Sequence, residues 1–597
     1  MLPSGTTARS SRTFVHDLGS VQVNLVDSWD EAQAFVSWLG ERRPVMALDL
    51  ETGGFDFWRH RIRTAQLGDA NTGWVVPWER YSGLIEHAIE RYSGPIALHN
   101  FMFDLPFMQH NGIPVPVGQV DDTRAMAHLI NPNRPTGLKD LADANISRQA
   151  SVGQKKLDEG MKANNWTWDT VPIDFPPYWF YGGLDVVFTS RLWEMQEKYF
   201  RSGSMKEIYD LEMGAQVPLM KMAFRGMRID NEYMNAKSAE LVREIDGIST
   251  ELLEVYEITK PGSAPQVSDV MIADGVEWPS HWLTATGKPS TKDEFLEQID
   301  HPVAHLVQEY RHKTKIEGSY FKNLRELQDP DGFVHPKINP LGAKTGRMTV
   351  TAPALQTLHR GPIVRDAFIP REGNVLIASD YDQIELRVLA DFAKVEALQK
   401  AFREEPDVHG WMAQKIYGLD KPVLKGDPRR DITKNATYAR AYGSGPDTFA
   451  DTAGISMKEA YAFYAMSDKA FPELKTYDRV LQEQALEAGK ANGCDPYVYT
   501  HYGRFQNASI KDVWKLVNRQ VQGTSADVLK KAIGDLDAAG FGDYMVLPVH
   551  DEIIFDVPED IAEEAAREIE TVMLNTDFTP NLTAEAGIYA RWGDKYR

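Results

Sequence analysis

Residues 374–387 read NVLIASDYDQIELR, an apolar run that ends in polar and charged residues. Such a run is typical of a buried strand whose end reaches the surface. Much further along, residues 549–558 read VHDEIIFDVP, and with the preceding MVLPV they predict a strand pair joined at a tight turn. Each segment places a carboxylate at a strand end, Asp380 in the first and Asp551 in the second. The sequence therefore predicts a sheet that carries two acidic side chains.

The composition indicates several domains and no membrane segment. The chain has 597 residues, and single cores stop growing at ~250–300 residues. No run approaches the ~18–20 apolar residues that span a bilayer, and the N-terminal MLPSGTTARSSRTF lacks the apolar part of a signal peptide. The single cysteine, Cys494, excludes an intrachain disulfide and suits a reducing compartment. We therefore expect a cytoplasmic protein without a membrane partner.

The net charge of −21 is unfavourable for a protein that binds nucleic acid, because phosphate contacts need cations. Whole-chain charge describes the mean field, however, and a local groove can differ from it. Basic residues do cluster locally, as Lys425, Arg429, Arg430, Lys434 and Arg440. Charge alone leaves nucleic-acid binding open, and the motifs decide it.

The N-terminal third alternates short apolar runs with helical patterns, which predicts an α/β domain. The predicted strands are 45–51, 62–69, 73–78 and 95–100, and the predicted helices begin at Phe101 and cover roughly 178–200. Helical periodicity dominates 205–330, with a connection predicted between Pro261 and Pro289, and helices dominate 401–535.

Three spaced pairs of residues in the N-terminal third suggest chemistry. Alternation along the strand VMALDLE puts the carboxylates of Asp49 and Glu51 on one face. Asp185 interrupts the apolar run GGLDVVF, so it should be paired or bound to metal. In the other two pairs the residues are four positions apart, and these pairs are Asn100 with Asp104 and Tyr181 with Asp185. Each pair alone also fits a solvated strand face, a first-turn helix residue or a core aromatic.

Together these pairs resemble the D-x-E, N-x-x-x-D and Y-x-x-x-D motifs of the DEDDy 3′→5′ exonucleases over about residues 40–200. The resemblance implies a two-metal nuclease with an RNase H-like fold. It assigns the metal ions to Asp49, Glu51, Asp104 and Asp185, and the orientation of the attacking water to Tyr181.

The two C-terminal strand segments carry a second resemblance. DYDQIELR nearly repeats DYSQIELR, the A motif of family A DNA polymerases, with Asp382 in place of Ser. VHDEIIFDVP matches the C motif H-D-E of that family. The resemblance implies that Asp380 and Asp551 are the catalytic, metal-binding carboxylates of a two-metal phosphoryl-transfer centre. Glu552 would assist, but it ranks lower because glutamates in such turns are often exposed.

Between the two lies RRDITKNATYARAYG, residues 429–443, in which two cations and two aromatic residues recur every fourth position. They therefore share one helical face. The cations could be solvated and the tyrosines could lie in the core, but a core stripe would not normally combine two cations with two aromatic residues. The segment resembles the B motif R-x₃-K-x₃-[FY]-x₃-YG. The implied dNTP contacts are Arg430 and Lys434 on the triphosphate, Tyr438 on the sugar and base, and Tyr442 near the templating base.

Further family landmarks follow in order, including TGRMTVTAPALQT (345–357), DVHGWMA (407–413) and NRQVQGTSAD (518–527). The resemblance assigns dNTP contacts to Gln383, Glu385 and His409, and DNA contacts to Arg347, Gln356, Asn518, Gln522 and His550. Glu385 would exclude a ribose 2′-OH, although a glutamate that starts a helix fits the same position. Trp514, with Lys515 beside it, stands where the family often has Arg, which puts that duplex contact in doubt.

The resemblance covers nearly the whole chain and implies a multidomain fold of α/β and α+β parts. An RNase H-like exonuclease domain (1–203) would precede a right-hand polymerase. Its parts would be the thumb (204–335), the palm (336–400 and 536–597) and the fingers (401–535). The implied function is template-directed DNA synthesis with proofreading. Two Mg²⁺ ions per active site, with Mn²⁺ as a substitute, would serve as cofactors. Primer–template DNA, dNTPs and replication accessory proteins would be the partners of a monomer. The layout, without a 5′-nuclease domain, resembles phage replicative members, which would work in the host cytoplasm.

Three rival interpretations conflict with particular residues. An RNase D-type nuclease would not need Asp380 and Asp551 together with the cations of the B-like motif. A single-subunit RNA polymerase shares the palm, but the glutamate gate and the proofreading motifs oppose it. A non-enzymatic primer–template binding protein should have lost a metal ligand, and none is lost.

Overall fold

The computed structural model describes residues 10–15, 19–279, 282–284, 286–358, 361–441 and 444–597. Tyr442, which the sequence places near the templating base, lies outside these residues. Among the described helices, none is long and apolar enough to cross a membrane.

The N-terminal part of the chain, through residue 200, alternates strands and helices. The strands are β1 (Ser10–Val15), β2 (Gly19–Leu25), β3 (Met46–Thr52), β4 (Ile62–Gly68), β5 (Thr72–Pro77), β6 (Ile96–Leu98) and β7 (Val120–Asp122). The helices are α1 (Trp29–Leu39), α2 (Trp78–Arg91), α3 (Phe101–His110), α4 (Thr123–Ile130), α5 (Leu138–Asn145), α6 (Val152–Asn164) and α7 (Pro176–Gln196).

The remaining part is mainly helical and carries short sheets. Its helices are α8 (Ser204–Arg225), α9 (Asn231–Tyr256), α10 (Ala264–Ala273), α11 (Asp293–Leu296), α12 (Pro302–Lys315), α13 (Lys322–Leu327), α14 (Pro362–Arg365), α15 (Ile384–Phe392), α16 (Glu396–Glu404), α17 (Val408–Tyr417), α18 (Pro428–Ala441), α19 (Pro446–Ala453), α20 (Met457–Ala470), α21 (Pro472–Asn492), α22 (Lys515–Leu536) and α23 (Ala562–Met573). Its strands are β8 (Met227–Ile229), β9 (Phe333–Val334), β10 (Lys337–Asn339), β11 (Thr349–Thr351), β12 (Phe368–Ile369), β13 (Asn374–Tyr381), β14 (Tyr497–Tyr499), β15 (Phe505–Asn507), β16 (Met545–Val549), β17 (Glu552–Pro558) and β18 (Ala584–Tyr589).

Strands β1 to β7 form one mixed sheet in the order β1-β2-β5-β4-β3-β6-β7. Strand β3 pairs antiparallel with β4 and parallel with β6, so it lies inside the sheet. The long helix α7 packs across β3, β4 and β5. Apolar side chains cover both faces of the sheet, and this burial fixes α7 against the strand that carries Asp49 and Glu51.

A second sheet forms around the segment quoted first. Strands β16, β17, β13 and β18 lie side by side and are all antiparallel. Strands β16 and β17 are joined by the two residues His550 and Asp551, and His550 adopts a φ of 58°. Positive φ is usual in two-residue hairpin turns, since their twist matches that of the strands. The register pairs Asp380 with Glu552, so the predicted acidic strand ends meet at one edge.

One sequence expectation about the middle of the chain was wrong in part. The connection predicted between Pro261 and Pro289 contains helix α10. Pro265 lies in the first turn of that helix, where proline is favoured because the first N–H groups have no helical partner. Helix α12 packs against α9, and apolar residues of α10, among them Val267 and Met271, share their core.

Helix α8 is tied to the C-terminal part of the chain by buried ion pairs. The Glu212 carboxylate accepts hydrogen bonds from Arg504 Nη2 (2.6 Å) and from Lys530 Nζ (2.7 Å). Arg504 Nε also donates to Asp527 Oδ1 at 2.7 Å. All four side chains are at most 1% exposed. Although burial raises the pKa of Glu212, Lys530 and Arg504 hold it at about 2, so the network is charged.

Candidate active sites

The first candidate site lies where β3 meets α7. Asp49 and Glu51 project from β3, and Asp185 projects from α7. Carboxylate oxygens of the three residues lie within 4.8 Å of one another. The predicted convergence of the D-x-E and Y-x-x-x-D segments is therefore present in the fold.

Asp104, the fourth predicted ligand, is 2% exposed on α3, and its Oδ1 has no hydrogen-bond partner. Burial raises its pKa well above the usual range, and the neighbouring carboxylate of Asp49 raises the pKa further. A buried carboxylate with an unpartnered oxygen is costly unless a cation compensates it. Asn100, at the αL position before α3, accepts a hydrogen bond from Arg124 Nη1 at 2.7 Å.

The same electrostatics apply to the β3 pair. Burial raises the pKa of Asp49 to about 7. Burial and the Asp49 charge raise the pKa of Glu51 well above its usual range. A set of closely spaced carboxylate oxygens is the ligand type that hard divalent cations prefer. The residues present therefore fit a divalent metal ion.

A lysine that the sequence analysis did not single out also lies in this site. The Lys139 ammonium contacts Asp185 Oδ1 and stands 4.2 Å from the centroid of the Tyr181 ring. Burial lowers the pKa of Lys139 to about 7. Burial, Glu51 and Asp49 raise the pKa of Tyr181, so its hydroxyl keeps its proton. The only available sequence signal was the lysine within GLKDLA, which is the second residue of α5.

The second candidate site lies at the edge of the β13–β17 sheet. Asp380 is the penultimate residue of β13, and Asp551 occupies the turn before β17. The N–H of Tyr381 donates to the Asp551 carbonyl at 3.2 Å. Burial raises the pKa of Asp380 to about 6, and the Asp551 charge contributes to that rise. A cavity of about 410 Å³ opens beside Asp551. Its lining includes Arg347, Gln383, Glu385, Tyr438, His550 and Asp551.

Glu552 departs from the expectation that it would be exposed, since only 5% of it is accessible. It is the first residue of β17 and pairs across the sheet with Asp380, so its side chain points to the same face as that of Asp380. Burial raises its pKa, as expected for a carboxylate removed from water.

Helix α18 carries Arg430, Lys434 and Tyr438 of the B-like motif. Arg430 forms a two-point ion pair with Asp407, with Nε–Oδ2 at 2.6 Å and Nη2–Oδ1 at 3.0 Å. Lys434 is exposed one turn further on, and Tyr438 lies 5.9 Å from His409 between ring centroids. Burial, Lys434 and Arg430 lower the pKa of His409 to about 4, so this imidazole is neutral. Asp407 was not predicted, although it directly precedes α17.

Arg347 and Glu385, both of which line the cavity, form an ion pair. The residue predicted to contact DNA is therefore in direct contact with the residue predicted to exclude a ribose 2′-OH. Gln383 adopts a φ of 48° just before α15, and the first residues of that helix, Ile384 and Glu385, line the cavity with it. Asp382, the departure from the family motif, is held by the Arg387 guanidinium. Gln356 accepts a hydrogen bond from Val350 N–H at 3.2 Å and thereby joins β11 to the following turn.

The remaining predicted DNA contacts lie on α22 and in the hairpin turn. Asn518 and Gln522 are half-buried one helical turn apart, and His550 is exposed at the cavity. Trp514 is 40% exposed. The neighbouring Lys515 stands 5.1 Å from the Trp514 ring and pairs with Asp512 at 2.8 Å.

Known proteins share both parts of this architecture. The profile of DNA polymerase family A matches residues 231–594, and that of the 3′–5′ exonuclease matches residues 23–198. The DNA polymerase of Mycobacterium phage D29 is 28% identical over 93% of each chain. The thermostable DNA polymerase I of Thermus filiformis is 33% identical over 63% of this chain and 46% of its own.

A solved structure has the same fold. The POL domain of Pol1 from M. smegmatis, in complex with DNA primer-template and dNTP, superposes with a TM-score of 0.75. That match has 22% sequence identity and covers 96% of this chain and 99% of the other. Because the family A match spans more than half of the sequence, the chain belongs to DNA polymerase family A, as a DNA polymerase with a 3′–5′ exonuclease domain.

Proposed function

We propose that Asp380 and Asp551 hold the two metal ions that support nucleotide addition, and that these ions are Mg²⁺, which Mn²⁺ can replace. When bound, such ions lower the pKa of an attacking hydroxyl and neutralise the charge of a transferring phosphoryl group. In this proposal Arg430 and Lys434 bind the triphosphate of the incoming dNTP, and neutral His409 donates a hydrogen bond to it. Gln383, Tyr438 and Tyr442 would bind the rest of the nucleotide.

The same proposal gives the other predicted residues contacts with DNA. Arg347 would reach minor-groove acceptors at the primer end, which all base pairs share, so that it tests pair shape. Gln356, Asn518, Gln522 and His550 would contact the template and primer strands. Glu552 would support the metal-binding pair from its buried position beside Asp380.

For proofreading, we propose that Asp49, Glu51, Asp104 and Asp185 hold the metal ions of the exonuclease. The protonated hydroxyl of Tyr181 would orient the attacking water, because a neutral phenol can both donate and accept a hydrogen bond. The ammonium of Lys139 would hold the Asp185 carboxylate and the Tyr181 ring in fixed positions relative to each other.

The observation that carries the polymerase proposal is the shared cavity. Residues from four distant segments line it, namely Arg347, Glu385, Tyr438 and Asp551. Chance burial would not normally bring a cation, two acids and a tyrosine from distant segments to one cavity. By extension we assign 1–203 to the exonuclease, 204–335 to the thumb, 336–400 and 536–597 to the palm, and 401–535 to the fingers. We further propose a monomeric replicative enzyme of a phage, active in the host cytoplasm with accessory proteins.

The test is extension of a 5′-labelled primer on a template with Mg²⁺, with and without dNTPs. Extension with dNTPs and 3′ shortening without them is the expected result. Shortening in both conditions would leave the nuclease and remove the polymerase assignment. Substitution of Ca²⁺ or Mn²⁺ in the same assay tests the identity of the metal.

Glu385→Ala should raise the incorporation of ribonucleotides relative to dNTPs by ~10- to 100-fold, the range that one added group in a fitted pocket controls. The physical reason is that the buried Glu385 side chain lines the nucleotide cavity and would collide with a 2′-OH. Single-nucleotide incorporation with rNTP and dNTP measures the ratio. Glu385→Gln is the matched control, since it keeps the volume and should keep the selectivity. An unchanged ratio in Glu385→Ala would remove the gate assignment.

Tyr438→Phe should weaken the incorporation of dideoxynucleotides by ~10-fold or more, because a phenol hydroxyl can replace the hydrogen bond of a missing 3′-OH. Tyr438 lines the cavity, and in this proposal its hydroxyl would lie next to the sugar of the incoming nucleotide. Competition between ddNTP and dNTP in primer extension gives the ratio. Tyr461→Phe, at an exposed tyrosine of α20, should leave it unchanged. Strong discrimination in the unmutated protein would contradict the assignment.

A further inference from the structure

A lysine outside every family motif reaches the polymerase carboxylates. Lys595 Nζ lies 2.9 Å from Glu552 Oε2 and 3.7 Å from Asp380 Oδ2. The Lys595 side chain is 19% exposed, so its charge is largely removed from water. A buried ammonium needs a compensating anion, and here the anions belong to the proposed metal centre.

The sheet register explains why a cation is needed at this point. Asp380 and Glu552 are directly opposite each other on β13 and β17, so their side chains lie on one face. Like charges in directly opposed positions destabilise a sheet. Lys595 therefore offsets a repulsion that the register itself creates.

The segment that carries Lys595 is rigidly held, which fixes the position of the ammonium. Trp592 is buried, and its ring meets Phe368 edge to face at 5.3 Å between centroids. Arg591 Nη1 donates to the Asp366 carbonyl at 2.9 Å, and Arg597 Nη2 donates to the Asp366 carboxylate at 2.7 Å. Gly593 lies against Asp366 so closely that a Cβ there would stand 2.0 Å from Oδ1.

We propose that Lys595 is a positioning residue of the polymerase centre and its built-in counter-cation. Its ammonium forms an ion pair with Glu552 and also lies 3.7 Å from Asp380, so it competes with divalent ions for these carboxylates. It thereby weakens divalent-ion binding while it stabilises the metal-free protein. The inference rests on the proposed metal-binding role of Asp380 and Asp551.

The test is direct binding of Mn²⁺ to the full-length protein, with the free ion measured by electron paramagnetic resonance. Asp49→Asn and Asp185→Asn form the background, so that the exonuclease ligands contribute little. In this background Lys595→Met should bind Mn²⁺ on the order of tenfold more tightly, since one positive charge next to the ligands is gone. Lys595→Arg should resemble the unmutated residue, and Lys475→Gln, which breaks an exposed ion pair with Asp468, is the matched control.

Thermal unfolding distinguishes this role from a purely structural ion pair. Lys595→Met should lower the unfolding temperature in EDTA, and saturating Mn²⁺ should restore most of the difference. An equal loss with and without Mn²⁺, together with unchanged or weaker Mn²⁺ binding, would overturn the proposal. If Lys595 acts through Glu552, its replacement should change Mn²⁺ affinity less in a Glu552→Gln protein.

Asp551→Asn in the same background distinguishes failure of the proposed metal site from failure of the proposed role of Lys595. If Mn²⁺ binding is retained in Asp551→Asn, the proposed metal-binding pair is itself wrong. If binding is lost in Asp551→Asn but unaffected by Lys595→Met, only the role of Lys595 is wrong.

Discussion

Asp551→Asn should reduce nucleotide incorporation by ~10³-fold or more, because a bound metal ion supplies several kcal/mol of charge stabilisation and ~1.4 kcal/mol is a factor of ten. Asp551 stands in the two-residue turn between β16 and β17, and its charge contributes to the raised pKa of Asp380. Asparagine preserves the side-chain volume and removes only the charge. Rapid-quench measurement of single-nucleotide addition to a primer–template gives the rate.

The exonuclease within the same chain is the internal control for folding. Asp551→Asn should still shorten the primer from its 3′ end, and it should do so even with dNTPs present, since extension no longer competes. Asp560→Asn, an exposed acid that follows β17, should leave extension unchanged. Extension within tenfold of the unmutated rate would mean that Asp551 is not a ligand of the reacting centre.

Asp49→Asn should abolish the exonuclease and spare the polymerase. We expect 3′ shortening to fall by ~10³-fold while primer extension stays normal. Asp49 shares a ligand cluster with Glu51 and Asp185, and its charge raises the pKa of Glu51 and of Asp104. Removal of 5′-labelled single-stranded ends, and the persistence of a mismatched primer terminus during extension, measure the effect.

The thermal stability of Asp49→Asn distinguishes loss of a metal ligand from disruption of the fold. Because the change relieves repulsion among buried carboxylates, its unfolding temperature in EDTA should equal or exceed that of the unmutated protein. Asp30→Asn, at an exposed position on α1, should change neither nuclease activity nor stability. Retained shortening by Asp49→Asn would remove this residue from the ligand set.

The sequence predicted the strands and helices that carry the motifs with small errors at their ends. Strand β3 and helix α7 were recognisable because apolar residues dominate them, and burial on both faces demands that composition. Helix α10 was missed because a proline-containing stretch was taken for a connection. Strand β2 was also missed, although Val21 and Val23 alternate towards the core.

The partners of the motif residues were beyond the reach of the sequence. Lys139, Asp407 and Lys595 each contact a predicted site residue that is distant in the chain. A single lysine or aspartate has no periodic pattern, and only the tertiary fold decides which charges meet. The burial of Glu552 was misjudged for the same reason, since the cross-strand register that covers it is a property of the folded sheet.

The buried charges around Glu212 determine where this chain can be divided. The family A match begins at residue 231, after the end of α8, yet α8 supplies the carboxylate that Arg504 and Lys530 share. A polymerase fragment that begins at residue 231 would lack Glu212 and would leave Arg504 and Lys530 buried without that carboxylate. Loss of one partner of a buried pair costs ~3–5 kcal/mol, a large part of the stability of a domain. We therefore expect a stable polymerase fragment to include α8, which begins at Ser204.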